Sequence, residues 1–179
     1  MIGFLKRLAK DRRGVSAVEF ALIAPAMIAF YFGMAEITQA LLAERRAGHA
    51  ASAVGDLVAQ SSQISNGEIT DVFSVARTIM LPFNSDVSKL KMRVSSLTAD
   101  SKGVAKVDWS NGEGLTALGK DQTVTDVPAG LMTSGQSVVM SEVTYSYTSP
   151  VTFFMPNAVT FSRKFYLRPR KSDKVTRTS

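Results

Sequence analysis

The chain has 179 residues, no cysteine and a formal charge of +6, with a pI near 9.7. That basicity sits at the two ends: residues 1–14 sum to +4 and residues 163–179 to +6, which leaves the body between them at −4. A nucleic-acid face would need cations clustered on the folded body, and the charge map argues against one. The missing cysteines exclude a disulfide scaffold and a thiolate metal site, so the domain must hold itself together by packing.

Lys6, Arg7, Lys10, Arg12 and Arg13 form a short basic leader that ends at Gly14. From Val15 to Ala35 run 21 residues in which Glu19 is the only charge. As a helix rising 1.5 Å per residue, that run covers about 30 Å, one bilayer core. It is too long for the apolar region of a cleavable secretory signal and continues into more helix, so it reads as a retained anchor. With the basic leader before it, the positive-inside rule puts the N-terminus in the cytoplasm and the residues beyond about 40 outside the inner membrane. Phe30, Tyr31 and Phe32 read either as an aromatic cluster at the outer interface or as plain apolar filler. Pro25 removes one backbone donor inside the span; it reads as a local kink or as a tolerated membrane proline. Glu19 asks for a reason, because a carboxylate in such a run costs several kcal/mol. The plain alternative is that it is wetted near the cytoplasmic surface.

The phrase Arg12-Arg-Gly-Val-Ser-Ala-Val-Glu-Phe-Ala-Leu-Ile-Ala-Pro25 resembles the start of TadE-like minor pseudopilins of the tight-adherence (Flp/Tad) pilus system, closely over about residues 12–42. The resemblance implies cleavage by a prepilin peptidase between Gly14 and Val15, which makes Glu19 the fifth residue of the mature chain. It implies that Glu19 neutralises the amino terminus of a neighbouring subunit and that a kink at Pro25 lets the helix bend in an assembly. The implied partners are the prepilin peptidase, other pilins and pseudopilins, inner-membrane pilus assembly proteins and the membrane itself. The implied location is the bacterial inner membrane, single-pass, with the C-terminal domain periplasmic. A competing reading is a signal-anchored envelope domain that binds a ligand or DNA through its basic tail.

Beyond the span the helix is expected to continue to about Ser62. Ile37, Leu41, Leu42, Val54, Leu57 and Val58 recur at helical spacing, and Glu36, Glu44, Arg45, Arg46 and Asp56 supply the polar side. Ala47, Gly48, Ala51, Ser52 and Gly55 make one sector small-sided, which permits close approach by another element. Ser65-Asn-Gly-Glu68 is a capping-box pattern that opens a second helix, and Pro82 ends it. The period then changes to two. Leu90–Leu97, Val104–Trp109, Val138–Tyr147 and Val159–Leu167 read as strands, with Ser101-Lys-Gly103 as a turn. Residues 110–135 read as a long connection with a short helical turn near Pro128–Met132. The expected class is α+β: a pilin-like long N-terminal helix, a second helix and an antiparallel sheet of about four strands. The expected divisions are a leader over 1–14, an anchor over 15–35, an extracytoplasmic domain over 36–168 and a disordered basic tail over 169–179.

Little in the chain suggests catalysis or a cofactor. His49 is the single histidine and falls on the helix, so neither a histidine metal site nor a Ser-His-Asp triad is supported. Asp100, Asp108 and Asp126 lack calcium-loop spacing. Trp109, Tyr145 and Tyr147 read as strand packing.

Overall fold

A computed structural model describes residues 14–178. The basic leader therefore lies, apart from Gly14, outside the described residues. Helix α1 runs Val15–Ala59, 45 residues, or about 68 Å at the usual rise. It continues through Pro25. Its first half is exposed on all sides. From Glu36 onward one face is buried, and the buried residues include Ala40, Ala43, Ala47, Ala51, Val54 and Val58.

Those residues pack on the sheet and on helix α2, Asn66–Met80. The capping box forms as expected: the Ser65 hydroxyl accepts from the Glu68 amide, and the Glu68 carboxylate accepts from the Ser65 amide at 2.7 Å. At the other end of α2, Arg46 of α1 donates to the carbonyls of Ile79 and Leu81, satisfying acceptors that a helix terminus leaves free.

The strands are β1 (Gln63–Ile64), β2 (Leu90–Ala99), β3 (Ala105–Glu113), β4 (Thr123–Val124), β5 (Ser137–Tyr147), β6 (Val159–Leu167) and β7 (Thr176–Arg177). The main sheet has the order β4-β3-β2-β5-β6 and is antiparallel throughout. It therefore has a fifth, two-residue edge strand within the stretch read as connection. The expected helical turn at 128–132 is a hydrogen-bonded turn, Leu131 amide to Pro128 carbonyl at 3.2 Å.

Leu90, Met92 and Val94 of β2 and Val139, Val143, Tyr145 and Tyr147 of β5 face the helices. Leu97 does not join them. Its odd position turns it to the opposite face, where it forms a second core with Val107, Val138 and Met140. The 114–136 connection covers that core with Leu118, Val127 and Met132. A bulge accompanies the change: Ser96 pairs with Trp109 and Leu97 with Val107, leaving Asp108 as the extra residue. Its carboxylate accepts from Thr98 at 2.6 Å and Ser96 at 3.2 Å.

The residues after Pro169 are ordered against the domain, contrary to the disordered tail expected from their charge. Val175 is fully buried, and β7 pairs in parallel with β1, Gln63 with Thr176 and Ile64 with Arg177. The Arg170 amide donates to the Ala59 carbonyl at the end of α1 at 2.8 Å. Trp109 donates its indole N–H to the Val175 carbonyl at 2.7 Å, and the Arg177 guanidinium lies 5.8 Å from the centre of the indole ring.

On the outer face, Glu142 is buried between Arg93 and Lys164, and Lys164 also binds Asp126. Burial pushes the Glu142 carboxyl up, but hydrogen bonds from Arg93 and Lys164 outweigh it and hold it below the usual carboxylate range. The Lys164 hydrogen bond likewise holds Asp126 low.

Two predictions follow from the packing and this network. A Cβ on Gly55 would collide with the Leu167 side chain and lie 3.2 Å from the Ser141 Cβ, whereas one on Gly48 would meet nothing nearer than 3.9 Å. Gly55→Leu should therefore lose about 1–3 kcal/mol through overpacking, while Gly48→Ala should gain up to about 1 kcal/mol of helix propensity; thermal unfolding of the detergent-solubilised chain reads both signs. Because both carboxyls titrate below their ordinary range, their contribution is complete above about pH 4–5 and is lost as pH falls through the lowered values. The melting temperature should drop between about pH 5 and pH 3, and Glu142→Gln should flatten that acid limb.

Candidate functional site

The residues singled out in the sequence lie along the free half of α1. Gly14 is the N-cap residue and Val15 the first helical residue, so the expected cleavage junction coincides with the helix start. Glu19 is exposed, one helical turn beyond Val15 and on the same face. Pro25 is exposed within the same apolar run. Phe20, Leu22, Met27, Phe30 and Tyr31 are all more than 60 % exposed, so among the described residues most of this half of the helix is left uncovered. The helix is long and apolar enough to cross a membrane.

The junction with the domain is built around a residue that the sequence reading assigned to the polar side. Glu36 is buried, only 1 % exposed. Its carboxylate accepts from three consecutive backbone amides in the β5–β6 connection: Phe153 at 2.7 Å, and Phe154 and Met155 at 2.9 Å each. Burial alone would raise its pKa. The three amides and the Ser149 hydroxyl outweigh that and hold it low, so Glu36 is a carboxylate in this setting. Ser149 in turn accepts from the Val151 and Thr152 amides at 3.4 Å. Thr152 sits at φ 54°, a left-handed conformation that costs a β-branched residue about 1–3 kcal/mol and that the surrounding bonds must hold. Sequence carried one signal for Glu36: positions 36, 40, 43, 47, 51, 54 and 58 share one helical face, so the carboxylate lies in line with the buried small-residue stripe.

The Phe154 ring lies against Gly33, where an added Cβ would stand 3.0 Å from it. Beside the junction is a cavity of about 610 Å³ between α1, the α2–β2 connection and β5, with Gln39, Asn84, Lys89 and Tyr147 among its lining. Phe83 closes one side of it, edge-on to Tyr145 and Tyr147 with centroids 6.5 and 6.1 Å away.

The basic C-terminal residues are dispersed rather than massed. Arg163 pairs with Glu44, Lys164 with Asp126 and Glu142, and Arg170 with Asp56. Arg168 donates to the Leu131 carbonyl at 3.3 Å, and Arg177 to the Ile64 carbonyl at 2.9 Å. His49 is exposed on α1. Among the described residues no cluster of three or more His, Asp or Glu is placed to hold a metal.

Residues 14–56 match the family model described as TadE-like protein. This segment begins at Gly14, spans the apolar half of α1 and ends one residue past Gly55. No curated protein and no solved structure matches the chain. The match supports a protein associated with the Tad pilus system.

If Glu36 holds the β5–β6 connection to α1, Glu36→Ala should strip hydrogen-exchange protection from the Phe153–Met155 amides by about tenfold or more while leaving the β2 and β5 amides protected. Glu36→Gln keeps one acceptor oxygen and should retain part of that protection. Equal protection in the alanine variant would show that the connection is held by its side chains instead.

Proposed function

We propose that the chain is a minor pseudopilin: a structural component in the biogenesis of a Tad-type pilus, made as an inner-membrane precursor and cut by a prepilin peptidase after Gly14. The observation that carries this reading is the coincidence of three boundaries. The TadE-like match begins at Gly14, the helix begins at Val15, and the apolar run from Val15 to Ala35 contains one charge, at Glu19.

Cleavage would create an ammonium at Val15. In low dielectric an unpaired ammonium and an unpaired carboxylate are both costly, and pairing offsets much of that cost. Glu19, one turn along the helix, would pair with such an amine on a neighbouring subunit and so set the register between adjacent helices. Ile37 and Leu41 extend an exposed apolar ridge from the span onto the domain, which gives a neighbouring helix something to pack on. The orientation follows the leader: N-terminus in the cytoplasm, domain in the periplasm. The rival reading, a domain binding nucleic acid through a basic tail, is weakened because most of that tail's cations already meet acceptors within the domain. A strong, salt-dependent DNA affinity would revive it.

Co-expression with a prepilin peptidase should yield a mature chain beginning at Val15 by mass spectrometry of the N-terminus, and a bulky residue at Gly14 should block the cut. Intact precursor under those conditions would favour a plain signal anchor. Glu19→Ala and Glu19→Gln should still be cleaved but should reduce the pilus count severalfold, with Glu19→Asp intermediate. Wild-type piliation by both neutral variants would make Glu19 a passenger.

A further inference from the structure

The β5–β6 connection, residues 148–158, is unlike the other loops of the domain. It contains no charged residue; indeed the chain is uncharged from Val143 through Ser162. It displays Val151, Phe153 and Phe154 at 43 %, 64 % and 53 % exposure, with the two rings edge-to-face and their centroids 4.9 Å apart. A loop of this composition projecting into water would be an apolar liability without a cover.

Its position on α1 says what the cover is. The Phe154 ring lies on Gly33, inside the apolar run that ends at Ala35. Glu36, which holds the loop's backbone, is about 4.5 Å further along the helix axis, three residues at the usual rise. The Phe154 ring therefore stands level with the last turn of the apolar segment, with Phe153 edge-to-face beside it. Glycine at 33 allows this approach, since a Cβ would press on the ring. At its first residue the loop is tied to Lys89, whose ammonium donates to the Thr148 hydroxyl at 3.0 Å, in the cavity that Glu36 and Gln39 also line. Apolar rings toward the span and a cation behind them is the order of groups met on crossing from hydrocarbon to headgroup.

We propose that this loop is a second membrane-contact element: Phe153 and Phe154 insert into the outer-leaflet interface beside α1, and the Glu36 clamp fixes the domain's tilt on the bilayer. The occupant of this surface is lipid, and the proposal rests on the retained-anchor reading above. Glu36 acts as a positioning residue. Two contacts with the bilayer, one through α1 and one through the loop, remove the freedom that a domain on a single helix would have to swing about its anchor.

The chain lacks cysteine, so single-cysteine variants carry a nitroxide at one chosen place. The full chain is reconstituted into vesicles of phosphatidylethanolamine and phosphatidylglycerol, and relaxation by dissolved oxygen is compared with relaxation by a water-soluble nickel chelate. Labels at Phe153→Cys and, as a second reporter, Val151→Cys should show a severalfold higher oxygen-to-chelate ratio than one at Lys102→Cys, in the β2–β3 turn. A label at Phe32→Cys reports the anchor itself. Adding Glu36→Ala should remove the preference at 153 and leave it at 32. Chelate access at 153 and 151 with oxygen preference at 32 overturns the wedge and leaves the anchor standing. Chelate access at all three positions overturns the anchor and the wedge together. Protection at 153 that appears only at a high protein-to-lipid ratio assigns the surface to a second copy of the chain and also overturns the proposal.

Discussion

Helix α1 carries two kinds of surface along one continuous rod, an exposed apolar half and a half packed on the domain, and the rest of the architecture answers to that constraint. For 21 residues its only charge is Glu19. Beyond Glu36 it narrows to a stripe of alanines, valines and Gly55 that lets β5 and β6 approach the helix closely. The stripe buries little area per residue, but small side chains bring backbones together and put many atoms in van der Waals range. The larger residues Ile37, Leu41 and Leu42 are left on the outside. The sheet selects for closeness rather than bulk because Tyr145, Tyr147 and Leu167 already supply volume from its side.

The change from the exposed apolar half to the packed half is concentrated at Glu36. A carboxylate there would be expensive if left unpaired, and the domain meets it with three amide donors from a single loop. The bond set works in both directions. It satisfies the acid, and it fixes where the β5–β6 connection lies along the helix. Two acids on one helix thus have separate positions: Glu19 is exposed within the apolar run, and Glu36 is buried and fully engaged within the domain.

The basic C-terminal region shows how charge can mislead. Arg163, Lys164, Arg170 and Arg177 run along β6 and into β7, and each reaches an acceptor contributed by a distant part of the chain. Glu44 and Asp56 of α1 serve as two of those acceptors. Exposed pairs of this kind contribute little individually. Their effect is to neutralise both partners and to lay the final residues across the end of α1, where Val175 buries its side chain and Trp109 holds its carbonyl.

By itself the sequence determined the elements whose signals are local. The apolar run with its single charge, the capping box at Ser65–Glu68, the two-residue period of β2 and the boundaries of β6 all follow from spacing within one segment. The small face of α1 was legible for the same reason. The tertiary structure decided whatever depends on a partner far away in the chain. Leu97 turned to a second core because a connection 20 residues on covers that face. The two-residue strands β1, β4 and β7 exist only because another strand lies beside them. By its charge Glu36 belongs to the solvated side of the helix, and only the amides of residues 153–155, 117 or more positions later in the sequence, bury it. A residue's type and its neighbours set its local conformation, but the burial of a charge is settled by what the rest of the chain brings to meet it.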